Sequence, residues 1–66
     1  MSAEEALTRA EKLLDRVEEA RHRLEQTDDP AQSIEILSEL AELAKEVEAE
    51  LAHARREAET EADADA

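Results

Sequence analysis

The chain has 66 residues, with no cysteine, no glycine, no aromatic residue and one proline. A chain of this size forms one domain at most, and disulfides, thiolate metal sites and aromatic anchors are unavailable to stabilise it. Twenty acidic residues against eight basic ones give a formal charge of −12, which repels phosphate backbones and anionic lipid and so excludes direct nucleic-acid or membrane-surface binding as an expectation.

The first segment, Ser2 to Thr27, has the pattern of a helix. Ser2 followed by Glu5 fits a capping box, in which side chains at the two ends of the first turn satisfy free amides. Apolar residues then recur with a helical period at Ala3, Ala6, Leu7, Ala10, Leu13, Leu14, Val17, Ala20 and Leu24. In heptad terms Ala3, Ala10, Val17 and Leu24 take a, Ala6, Leu13 and Ala20 take d, and Leu7 and Leu14 widen the stripe at e. Arg16-Val17-Glu18 recurs one heptad later as Arg23-Leu24-Glu25, as expected of a heptad in a Glu-rich helix.

The stretch TDDPAQS, residues 27–33, interrupts the pattern. Asp29 is the expected N-cap and Pro30 the first helical residue, where a missing N–H costs nothing. Gln32 sits where it would complete a second capping box. A continuous helix would lose a backbone bond and clash at Pro30, at a cost of about 3 kcal/mol. A turn of roughly two to four residues here folds the neighbouring helices antiparallel. The alternative is a single long helix kinked at Pro30, which the lack of a glycine after the first helix favours.

The second helix is expected over 30–58. Ile36, Leu37, Leu40, Leu43, Ala44, Val47, Leu51, Ala54 and Ala58 form a broad stripe, with Ile34 and Ala41 beside it. Glu35, Glu39, Glu42, Glu46 and Glu48 are expected on a solvated face. Glu5–Arg9, Glu19–Arg23 and Arg55–Glu59 are spaced for pairs along one helix, each contributing about 0.2–0.5 kcal/mol. Residues 59–66, ETEADADA, carry no periodicity or large apolar side chain and are expected to be a disordered acidic tail. The acidic N-terminus lacks an apolar core segment, no run approaches the ~18 residues of a bilayer span, and a cytoplasmic location is expected.

Residues that could carry chemistry are sparse. Glu19-x-x-His22 and Glu50-x-x-His53 have the spacing seen in di-iron bundles. In a hairpin turning near Asp28, however, position 50 lies level with about 6 and position 19 with about 37. The two motifs are then about 20 Å apart along the axis at 1.5 Å per residue. Glu5 could approach Glu50 and His53 near the open end, which would still leave a thin site. No Ser, Thr or Cys nucleophile sits beside a base, and no glycine is present to cradle phosphate. The reading is an all-α antiparallel hairpin with no catalytic residue, no metal and no cofactor. Its buried seam and partner interface are expected to be Leu13, Val17, Leu24, Ile36, Leu40, Leu43, Val47 and Leu51. The stripe is wider than one partner helix can cover, so association into a helical bundle is expected, with a second copy or with a larger helical protein.

Several stretches resemble one family. Glu4-Glu5-Ala6-Leu7, Glu11, Leu13-Leu14 and Arg16-Val17-Glu18 are similar to the first helix of the small subunit of bacterial exodeoxyribonuclease VII. Leu24-Glu25, Asp28 and Pro30 resemble its turn, and Leu43-Ala44, Val47, Leu51 and Ala54 its second helix. Ala3 stands where that family has an aromatic residue, and its turn glycine is absent. The resemblance implies a non-catalytic subunit that packs on the helices of a large nuclease subunit and supports action on single-stranded DNA. The DNA and any metal would belong to that other chain.

Overall fold

A computed structural model describes residues 2–65. Its two helices are α1, Ala3–Gln26, and α2, Pro30–Asp65, and they pack against each other as an all-α antiparallel hairpin. The long extent is 55 Å, which is the length of α2 at 1.5 Å per residue, and the other two are 14 and 13 Å. A globular chain of this length would have a radius of gyration of about 11 Å, against 15.8 Å here. The molecule is a two-helix rod with no third layer to cover its sides.

Each helix starts where its cap places it. Ser2 is extended, at φ −79° and ψ 162°, and its hydroxyl accepts from the Glu5 amide at 3.1 Å. Glu4 and Glu5 in the first turn complement the helix dipole. At the turn, the Asp29 carboxylate accepts from the Ala31 amide at 3.0 Å, and its carbonyl accepts from Ser33 at 3.0 Å. Gln32 does not reach back to the Asp29 amide as a capping box would require. Thr27 intervenes: its hydroxyl accepts from the Asp29 amide at 3.3 Å and donates to Gln32 Oε1 at 2.9 Å.

α1 ends without glycine because Thr27 leaves it in an extended conformation, at φ −96° and ψ 139°. No described residue has a positive φ. The chain therefore reverses with ordinary backbone geometry, and the kinked single helix is excluded. Replacing Asp29 with Ala removes the cap of α2 and is expected to cost about 1 kcal/mol. Urea titration followed by circular dichroism would measure it, as a lower midpoint with an unchanged slope.

One boundary differs from expectation. α2 does not stop near residue 58; it continues through the supposed tail to Asp65, and Ala66 lies outside the described residues. The segment consists of good helix formers and other non-breaking residues, with neither glycine nor proline to end the helix. Residues that bury nothing can still extend a helix that is already nucleated.

The seam between the helices is a strict alternation of three- and four-residue steps. On α1 it runs Ala6, Ala10, Leu13, Val17, Ala20, Leu24, and on α2 Ile36, Leu40, Leu43, Val47, Glu50, Ala54. Ala6, Ala10, Ala20, Ile36, Leu43 and Ala54 are buried, and among the described residues Leu43, at 2 % exposure, is the most deeply buried large side chain, with Ile36 at 8 %. Alanines let the helices approach closely but remove little apolar area, since burial contributes about 25 cal/mol per Å2. Seven of the expected seam residues lie here: Leu13, Val17, Leu24, Ile36, Leu40, Leu43 and Val47. The eighth, Leu51, does not, and is 48 % exposed. A second consecutive four-residue step after Leu43–Val47 would carry the stripe around the helix. The seam takes the three-residue step to Glu50 instead.

Candidate interaction surfaces

With the seam at a and d, the hairpin has two flanks, and they differ in chemistry. In an antiparallel pair the residues just before each a position border one side of the seam, and those just after each d position border the other. The first set is Arg9, Arg16 and Arg23 on α1 and Glu39, Glu46 and His53 on α2. Arg23 Nη2 meets Glu39 Oε2 at 2.6 Å, and Arg9 Nη1 lies 4.0 Å from Oε1 of Glu50 in the adjoining seam. Arg16 and Glu46 line the same groove with Arg9 and Glu50.

These pairs correct two expectations. Arg9 and Arg23 reach across the seam rather than to Glu5 and Glu19 on their own helix, while Arg55 does pair locally with Glu59 at 3.2 Å. Glu39 and Glu46 border the seam instead of belonging wholly to a solvated face. The register also shifts by about one helical turn, since Glu50 lies level with Arg9 and not with position 6. The first residues of α2, before Ile36, bury no side chain fully, so α2 makes a turn before it engages α1.

The opposite flank is mostly apolar. Leu7 and Leu14 on α1 and Leu37, Ala44 and Leu51 on α2 occupy the positions after d at heptad spacing, and Arg21 ends the α1 series. Leu7 is 47 % exposed, Leu14 51 %, Leu37 52 % and Leu51 48 %. Ile34, at 65 %, and Ala41 extend the α2 row outward. Both rows border the same side of the rod, because the arginine–glutamate pairs occupy the other. Sequence reading found these residues but counted them as one broad stripe. The signal that separates them is the arginine heptad Arg9, Arg16, Arg23 running antiparallel to Glu39 and Glu46.

The outer edge of α1 on the apolar side is acidic: Glu4, Glu11, Glu18 and Glu25 repeat at heptad spacing. Arg21, one heptad on from Leu14, bonds Glu18 Oε2 at 2.8 Å and also Glu25. That hydrogen bond, with the charge of Arg21 behind it, holds the Glu18 carboxyl below its ordinary value and raises Arg21 in turn. Its stabilising effect is present above the ordinary carboxylate pKa and is lost as acid carries pH down through the lowered value. Both side chains are exposed, so solvent screening keeps the effect small.

The Glu-x-x-His repeats do not converge. Glu50 faces Arg9 across the seam, and Glu19, His22 and His53 are exposed. Among the described residues no group of three or more His, Cys, Asp or Glu side chains is placed to hold a metal ion, and no helix is long and apolar enough to cross a membrane. No protein family, curated protein or solved structure matches the chain.

Proposed function

We propose that the chain is a non-catalytic association module, a helical hairpin that completes its core by taking further helices against its apolar flank. One observation carries this: Leu7, Leu14, Leu37 and Leu51 are each about half exposed and lie in heptad register along one side of the rod. Half-exposed leucines at regular spacing form a contiguous apolar surface, which marks a contact site. Four of the six buried residues in the seam beneath them are alanine, which gives a hairpin of this size little stability alone.

Two sources could supply the further helices. A second copy would give a four-helix bundle, a reading favoured by leucines contributed from both helices to one flank. A larger helical protein would make the hairpin an accessory subunit, a reading favoured by the thin seam and by charge. The resemblance to the exodeoxyribonuclease VII small subunit is the most specific form of the accessory reading. In it the chain supports a catalytic partner and touches neither DNA nor metal.

The test is a paired measurement on the wild type and on the double substitution Leu14→Asp with Leu51→Asp. Sedimentation equilibrium of a self-assembling wild type should exceed the single-chain mass of 7.4 kDa, and the variant should return to it. An accessory subunit should sediment as one chain and gain helicity when a partner helix is added, with the variant failing to respond. A single, fully helical chain whose melting is the same in both forms, and which takes no added helix, would refute the association reading.

A further inference from the structure

The two flanks obey different charge rules, and the difference bears on what covers the apolar one. On the charged flank the hairpin supplies both signs itself: Arg9 and Arg23 lie against Glu50 and Glu39, with Lys12 and Arg16 beside them. Four of the eight cations of the chain therefore border that side. On the apolar flank the rim carries Glu4 and Glu11 from α1 and Glu48 from α2. All three are exposed, and none takes part in an ion pair among the described residues. The cations on that side are already engaged within their own helices, Arg21, which ends the α1 leucine row, by Glu18 and Glu25, and Arg55 by Glu59.

We propose that the apolar flank is a docking groove for a basic amphipathic helix of a different protein, whose leucine-type face fills the space between the two leucine rows while Lys or Arg on its edges meets the glutamate rim. The proposal rests on the association reading above and names its partner by chemistry. A second copy meets the leucines equally well but brings a matching acidic rim against this one and adds another −12 to the assembly. Like charges facing each other across an interface oppose association, whereas opposite charges favour encounter and exclude wrong partners. The length is also defined. Leu37 and Leu51 are two heptads apart, about 21 Å along the axis, so a helix of about three heptads spans the groove. The complex is a three-helix bundle in which each seam has an apolar centre and paired charges at its edge, the arrangement the hairpin already uses between α1 and α2.

The probe is a pair of synthetic helical peptides of about three heptads, with the same Leu positions and either Lys or Glu at every flanking position. Each is titrated into the full chain by isothermal calorimetry, with sedimentation of the chain alone in parallel. The Lys peptide is expected to bind one per hairpin and at least about tenfold more tightly than the Glu peptide at ~0.15 M salt. That preference should shrink at ~1 M salt, where the screening length falls to about 3 Å. The double substitution Glu11→Lys with Glu48→Lys, at exposed sites that leave the seam intact, should reverse it. Equal binding of the two peptides would overturn the basic partner while keeping the association module. So would a chain that takes neither peptide yet sediments as a dimer broken by Leu14→Asp. A chain that takes neither peptide and remains a monomer unaffected by Leu14→Asp would overturn both.

Discussion

Leu43→Asp is expected to abolish the fold, with the helical signal at 222 nm dropping to that of a largely unfolded chain at 25 °C. Leu43 is 2 % exposed and sits midway along the seam, where the register bracketed by Arg23–Glu39 and Arg9–Glu50 places it level with Val17. Losing the leucine forfeits about 1.5–3 kcal/mol of burial. The new carboxylate must then be held unpaired between two helices or be protonated, at a cost of several kcal/mol more. A domain of this size holds only about 0.05–0.15 kcal/mol per residue of net stability, so the substitution exceeds the reserve. Ala52→Asp, at an exposed site on the same helix, is the control and should lie within about 0.5 kcal/mol of wild type. Full helicity in Leu43→Asp at a concentration where the chain is monomeric would mean that the seam is not where the helices are held.

The expected severity follows from how few large residues the seam buries, Ile36 and Leu43 against four alanines. Ala6, Ala10 and Ala20 occupy core positions on α1 because the heptad there is unbroken, and the period alone places them. The helix starts at Ser2 and Asp29 were legible for a similar reason: a cap is a local interaction between residues two or three apart.

What was not legible depends on contacts distant in sequence. Arg23 has an acid one turn away in Glu19 and another across the seam in Glu39, and nothing in residue type chooses between them. The choice follows from register, and register follows from how the turn at Thr27 leaves α1. Apolar character alone selects Leu51 for the seam, whereas the alternation of three and four selects Glu50 whatever its residue type. Leu51, one position on, lies on the apolar flank and is 48 % exposed. The helical continuation to Asp65 is not legible from apolar periodicity, because a nucleated helix can extend without it.

Glu50 supplies the second large effect, of opposite sign: Glu50→Leu is expected to stabilise the hairpin. The side chain is 18 % exposed, its Oε2 is buried without a hydrogen-bond partner, and its Oε1 is 4.0 Å from an arginine that is itself 62 % exposed. Such a contact with a solvated guanidinium contributes little, while an unsatisfied buried acceptor costs about 1–3 kcal/mol. Across the seam the facing surface includes Ala10, at 3 % exposure, so a leucine extends the Leu43–Val47 row toward the open end with no charge to desolvate. A gain of about 2 kcal/mol would raise the melting temperature by roughly 8–16 °C in a domain this small. Glu50→Gln separates the causes, because it removes the charge but keeps a polar group in the seam. It should recover only part of the gain. Melting must be compared at concentrations where the two proteins have the same sedimentation mass, since a change in association would also move it. If Glu50→Leu instead melts lower than wild type, the Arg9–Glu50 contact fixes the register at the open end, and the arginine flank rather than the apolar seam decides how the two helices align.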